Sequence, residues 1–311
     1  MALALAGCDT GGDTDTEGGD TPPKDYRAIV SFAGGTPITY TTGSEVFITG
    51  RPITFAPFTM AKYETTYQLW KEVYEWAGTH GYTIANPGVE GHGEGNGTDL
   101  AGTPAQRATR PVTSINWRDA IVWCNAYSEK SGKTPVYYTD TTYNTVLKVS
   151  TNDGGTATAA DGAKMKSTAN GYRLPTDAEW EYAARGGTQS TTTPWTYAYA
   201  GSNTVGDVAW YMVNSYNLTS SNADYGAHPV GTKAANSKGL YDMSGNVFEW
   251  CWDWFGSISV STPDTGTGSG ATRVMRGGGW YGDALNCNVA DRNSSGPDSG
   301  IDGTGFRVVC P

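Results

Sequence analysis

RVMRGGGWYGDALNCNVADRNSSGPDSGIDGTGFRVV, residues 273–309, has ends suited to burial and a middle that is not. On the left, Val274, Met275 and Trp280 surround the run Gly277-Gly278-Gly279; on the right stand Phe306, Val308 and Val309. Both edges read as strands. Between them, Tyr281 to Thr304 is mostly Asn, Asp, Ser and Gly, with neither the alternation of a strand nor the stripe of a helix, which is a loop signal. A loop of about two dozen residues held between strands is long for a compact domain, and such loops are usually functional or disordered.

The 311 residues are 38% hydrophobic, enough for a real core, and one large domain over residues 26–311 is expected, with 273–309 as its variable region. A net charge of -10 and no basic patch argue against nucleic acid as a partner, because binding to its backbone depends on Lys and Arg neutralising phosphate. Forty-two Gly, nineteen Tyr and eleven Trp, with 17% charged residues, suit a loop-rich extracytoplasmic protein with large aromatic anchors. Five cysteines cannot all pair, and none forms a CxxC or a Cys/His cluster with zinc spacing.

Cys8 stands apart. Leu5-Ala6-Gly7-Cys8 matches the lipobox at which bacterial lipoprotein precursors are cleaved and acylated, so residues 1–8 read as a truncated signal remnant ending at the lipidation site. Residues 9–25 follow as a disordered tether, poor in apolar residues and rich in Asp, Gly, Thr and Pro. About seventeen flexible residues span roughly 20–25 Å, enough to lift a domain clear of lipid headgroups. No apolar run approaches the ~20 residues of a membrane-spanning helix. The expected setting is the bacterial cell envelope, lipid-anchored and facing outward, with the protein acting as a monomer.

Along the chain, short β runs are expected at 28–32, 46–49 and 53–60, then a helix opened by a capping box at Thr65 and Gln68, with Tyr67, Trp70, Val73, Tyr74 and Ala77 on its buried face. A Gly-rich loop over 86–102 holds His92, which beside Glu90 and Glu94 reads as solvated loop, not a metal site. Asn116 and Asp119 cap a second helix with Ala120, Ile121, Cys124 and Tyr127 on one buried face and Gly132 as its stop. Strands are expected within 136–150 and 164–173. Thr176 and Glu179 cap a third helix, with Trp180, Ala183 and Ala184 inward and Gly186-Gly187 closing it.

Four motifs occur in order: GYRLPTDAEWEYAARGG (171–187), GLYDMSGNVFEWCWDW (239–254), RVMRGGGW (273–280) and GFRVV (305–309). With the shorter PVTSINW (111–117) and FTM (58–60), they resemble the formylglycine-generating-enzyme, or sulfatase-modifying factor, family over roughly residues 50–310. The resemblance implies an α+β fold: a C-type lectin fold of the formylglycine-generating type, with few helices around short antiparallel sheets and many loops. Active members use two cysteines with copper and oxygen to oxidise a substrate cysteine. By position these places are Gly282 and Cys287 here, and glycine offers no thiolate for Cu(I). No copper and no enzyme are therefore expected, and Cys287 reads as a small buried residue. The rival readings are a formylglycine-generating-type copper oxidase acting on cysteine peptides and a passive structural lipoprotein.

The segment also resembles the variable proteins of diversity-generating retroelements, of the spirochaete (Treponema) surface lipoprotein type, in which template adenines are randomised in a C-terminal segment. Adenine-scrambled AAC or AAT codons cannot give Lys, Glu, Gln, Met or Trp. Every residue from Tyr281 to Thr304 obeys that exclusion, which this composition would do by chance roughly once in thirty. The resemblance implies a variable binding face of Tyr281, Gly282, Asp283, Leu285, Asn286, Asn288, Asp291, Asn293, Ser294, Ser295, Gly296, Ser299, Ile301 and Asp302, for an unknown protein or surface ligand. Tyr281 is the expected anchor, being large, rigid and amphipathic. The family also suggests a structural calcium ion held by Asp242 and Glu249 with main-chain oxygens of Gly245 and Val247, all oxygen donors as calcium prefers. The Glu-Pro-Asn type triplet of sugar-coordinating lectins is not seen.

Overall fold

The computed structural model describes residues 24–39, 44–91, 103–151, 158–188, 195–218, 222 and 224–311. Cys8, the expected tether up to residue 23, His92 and Glu94 lie outside the described residues. The chain runs through β1 (Ile29–Phe32), β2 (Phe58–Ala61), α1 (Tyr67–Thr79), β3 (Val89–Glu90), α2 (Pro104–Ala108), β4 (Val112–Thr113) and α3 (Trp117–Lys130). It continues with β5 (Tyr137–Tyr138), β6 (Lys164–Met165), α4 (Asp177–Ala184) and α5 (Val205–Val208). The C-terminal part adds β7 (Phe248–Trp254), β8 (Arg273–Arg276), β9 (Asn293–Ser295), β10 (Thr304–Gly305) and β11 (Val309–Cys310). No helix among these residues is long and apolar enough to cross a membrane.

The helix starts follow from local chemistry. Asn116 accepts from Asp119 N (2.8 Å) and Asp119 from Asn116 N (3.1 Å), satisfying two N–H groups that the first turn of α3 would leave orphaned. Thr176 and Glu179 do the same for α4. For α1 the cap lies one residue later than the sequence suggests: Thr66, not Thr65, accepts from Leu69 N. The second expected face is also too narrow, since α3 is buried all round from Trp117 to Ser128, polar residues included. One of these, Asn125, bonds Val136 N, Tyr137 N, Tyr137 O and Leu147 O. That side chain does the work of a strand ladder, so the expected strands in 136–150 and 164–173 shrink to β5 and β6. Residues 46–49 form turns instead of a strand, although Val46 and Phe47 are buried.

Two sheets position everything else. β1, β2 and β11 form one, with Val309 opposite Met60, so the chain's last strand closes on an early one. The other has the order β10-β7-β8-β9, with β10 parallel to β7 and the remaining pairs antiparallel. Trp70 of α1 and Trp123 of α3 stack at 5.6 Å, and Phe306 meets both edge-on. Offset and edge-to-face pairs of this kind add to plain area burial, and here they fix the right edge of the C-terminal segment between the two long helices. Val274, Met275 and Trp280 are buried at its left edge, as expected.

Candidate binding site

The C-terminal segment is not a free loop. β9 lies inside it as the edge strand of the sheet, pairing Asn293 with Met275 and Ser295 with Arg273. Asn-Ser-Ser has little intrinsic preference for strand, so the pairing with β8 supplies the conformation. Buried Arg276 donates to Val289 O and Asp291 O, and Ser244 Oγ donates to Cys287 O. Arg292 is tied to Asp177 (2.8 Å) and to Glu45 (2.7 Å). Farther on, Arg118 N donates to Pro297 O and Phe248 N to Gly303 O. Backbone and buried side chains thus clamp the segment at its ends and in its middle.

Two glycines make the clamp close enough. A Cβ on Gly278 (φ +74°) would sit 2.8 Å from the Asn286 carbonyl and Cys287 N, and one on Gly303 (φ +79°) would strike the Tyr281 ring at 2.4 Å. Neither space nor backbone angle admits a side chain at either place.

On this frame the expected face divides. Asp283 and Leu285 are exposed, Leu285 at 73%, while Tyr281, Asn286, Asn288, Asp291, Asn293, Ser294, Ser295, Gly296, Ser299, Ile301 and Asp302 are half-buried. Gly282 is buried under Asn286 and therefore belongs to the frame, not to a contact surface. Several polar side chains also hold local turns: Asp283 Oδ1 accepts from Leu285 N and Asn286 N, and Asn288 Oδ1 from Ala290 N.

Tyr281, Ile301 and Asp302, from opposite ends of the segment, come together with Trp280 and Tyr216 around a cleft of about 380 Å³. The other expected face residues do not line it. Tyr216 was not anticipated, nor was Tyr225, which meets Trp280 edge-on at 5.4 Å. Both come from a stretch whose polar composition gives no periodic signal. Burial, with the nearby charge of Asp302, raises the Tyr281 phenol above its ordinary value, so the ring carries a neutral hydroxyl.

Cys287 is fully buried, and burial pushes its thiol up to about 12. A thiol in that range supplies almost no thiolate at neutral pH. Native protein at pH 8 is expected to resist iodoacetamide at Cys287 and to be labelled there only after unfolding, as peptide mass mapping would show. Rapid native labelling would contradict this placement.

The two carboxylates suggested for calcium, Glu249 and Asp242, are already engaged. Glu249 takes Arg307 on both carboxylate oxygens (2.6 and 2.7 Å) and Trp180 Nε1 on one (2.8 Å). Asp242 accepts from Gly231 N at 2.6 Å. No group of three metal-ligating side chains occurs among the described residues. A cation would have to displace a guanidinium from a buried carboxylate, so these residues do not fit a calcium ion.

The family described as the sulfatase-modifying factor enzyme 1-like domain matches residues 17–311. Chaperone protein LppX of Paenibacillus barcinonensis is 35% identical over 265 residues, 80% of each chain. The formylglycine-generating enzyme of Streptomyces coelicolor is 31% identical over 227 residues, covering 70% of this chain and 56% of that enzyme's length. Among solved structures, Treponema denticola variable protein 1 aligns with a TM-score of 0.71 and 29% identity, over 91% of this chain and 94% of that one.

Proposed function

We propose that this chain, which belongs to the sulfatase-modifying factor enzyme 1-like family, is a ligand-binding protein whose C-terminal segment is a replaceable recognition surface and not an oxidase site. Its fold is the C-type lectin fold of the formylglycine-generating type, with five α-helices around small sheets among the described residues. One observation carries the reading: side chains of segment 281–302 reach solvent from a backbone held by buried arginines and closed glycine contacts, so they can change while the frame stays. Antibody loops on their sandwich exploit the same division. The likeness to a Treponema variable protein supports diversification by a retroelement as the source of change. Gly282 in place of a thiol, with Cys287 buried, argues against the chemistry of the formylglycine-generating relatives. On this reading the protein sits at the outer face of the bacterial envelope, anchored through Cys8.

The name of the LppX relative, at 35% identity, favours a second form of the same binding: a client polypeptide as the ligand. A single experiment separates these readings from passive packing. Leu285, Ser294, Ser295 and Ser299 are replaced together with other residues permitted by scrambled AAC codons. Thermal stability should move little, since surface changes away from buried networks are usually within about 0.5 kcal/mol each. Partners captured from envelope extracts should change. An unchanged partner set would refute the proposal, and a partner set made only of unfolded polypeptides would favour the chaperone form.

A further inference from the structure

The aromatic cleft has a chemistry of its own. Trp280 is surrounded by tyrosine rings, with centroids at 5.7 Å (Tyr216), 5.4 Å (Tyr225) and 5.6 Å (Tyr281), all tilted or edge-on. Tyr216 and Tyr281 line the cleft with Trp280, Ile301 and Asp302, while Tyr225 packs against Trp280 from outside the lining. A carboxylate beside clustered π faces is the environment that attracts an organic cation: each ring presents a negative face, and the carboxylate adds a full charge. The cleft holds about 380 Å³, near the lower end of the roughly 300–1,000 Å³ usual for ligand sites, room for one long side chain and some backbone.

The second observation is independent of charge. Trp280 is 2% exposed, and its Nε1–H has no hydrogen-bond partner among the described residues. It lies against Gly303, next to Asp302, since a Cβ at Gly303 would be 3.1 Å from it. This donor is closed off from solvent beside Gly303, so the Trp280 indole N–H reports on changes at the neighbouring Asp302.

We propose that this cleft takes the cationic side chain of a lysine or arginine in a protein partner, with Asp302, Tyr216 and Tyr281 facing the cation. This rests on the reading of segment 281–302 as a binding surface and adds the class of group it receives. Asp302 belongs to the replaceable segment while Trp280 and Tyr216 do not, so cation preference is a property of the present version of the surface.

The test is titration of the whole protein followed by the indole N–H signals in a ¹H–¹⁵N spectrum, the Trp280 signal being assigned by its loss in Trp280→Phe. N-acetyl-arginine amide and N-acetyl-lysine amide should shift that signal and saturate. N-acetyl-citrulline amide, nearly isosteric with the arginine probe but neutral, should bind at least about tenfold more weakly. Asp302→Asn should bring the arginine and citrulline affinities together. Equal binding of arginine and citrulline probes to the unmodified protein, or no response of Trp280 to either, overturns the proposal without needing any variant to fold. If envelope partners still change with the segment while Trp280 ignores cations, only this inference fails.

Discussion

Replacing Arg307 with leucine is expected to destabilise the protein by about 3–5 kcal/mol or more at neutral pH, the range for removing one partner of a buried ion pair. Arg307 and Glu249 are both fully buried, joined at 2.6 Å, and the guanidinium also reaches the carbonyls of Tyr241, Ala61 and Lys62. Two further buried carboxyls share this neighbourhood. Burial, with the charges of Asp242 and Glu249, pushes Glu64 well above its ordinary value, and burial raises Asp242 to about 6; Arg307 pulls both down. Without it three buried acids face one another. The deficit should therefore depend on pH. A carboxyl raised in the folded state binds its proton more tightly folded than unfolded. Its stabilising contribution is complete below the unfolded value near 4 and is lost as pH rises through the folded value. Removing Arg307 moves those folded values higher, so the gap to the unmodified protein should widen between pH 5 and pH 8. Urea unfolding at both pH values measures it, and a gap of equal size would show that lost packing, not charge, dominates. Arg307→Met combined with Glu249→Leu should recover part of the loss, because an apolar pair avoids the stranded charge. Recovery stays partial, since Trp180 Nε1 and three carbonyls each lose a hydrogen bond.

This network also marks where the sequence stops being legible. The capping boxes of α3 and α4 could be read because donor and acceptor are three residues apart, and the aromatic edges of the last strands because burial needs no named partner. Thr103-Pro104-Ala105-Gln106 carried an equally clear signal for α2, with both reciprocal bonds present, yet falls just after a Gly-rich loop that draws attention away. The buried arginines are different. Arg276 meets Asp177 and Glu181, 99 and 95 residues away, and no local pattern announces a partner at that distance. β9 is hidden for the same reason: its residues favour turns, and only the strand laid beside them makes them extended. The cleft shares the difficulty. Tyr281 is a candidate from its chemistry and does line the cleft, but Tyr216 reaches it from a segment of unremarkable composition, and the unsatisfied indole N–H exists only in three dimensions.

Arg276→Met should be nearly as costly globally as loss of Arg307, at the low end of about 3–5 kcal/mol, and more damaging locally. The global cost is smaller because both partner acids keep a second cation: Arg292 stays on Asp177 and Arg185 on Glu181. Asp177 illustrates the balance. Burial alone would raise its carboxyl, yet Arg276 and Arg292 together hold it below the ordinary carboxylate value. A depressed carboxyl contributes stability that is present above its unfolded value and is lost as pH falls through the folded one. The variant should therefore lose part of that contribution at neutral pH and show a shallower decline in acid. Locally, Arg276 holds the Val289 and Asp291 carbonyls, and its strand carries β9. Hydrogen exchange should speed up over residues 289–295 beyond what the global loss explains, while the α1 and α3 amides should follow global unfolding. Partner binding should weaken although no contacting side chain has changed. If binding persists with that segment exchanging freely, recognition does not need the clamped backbone, and the division into fixed frame and replaceable side chains fails at its most rigid point.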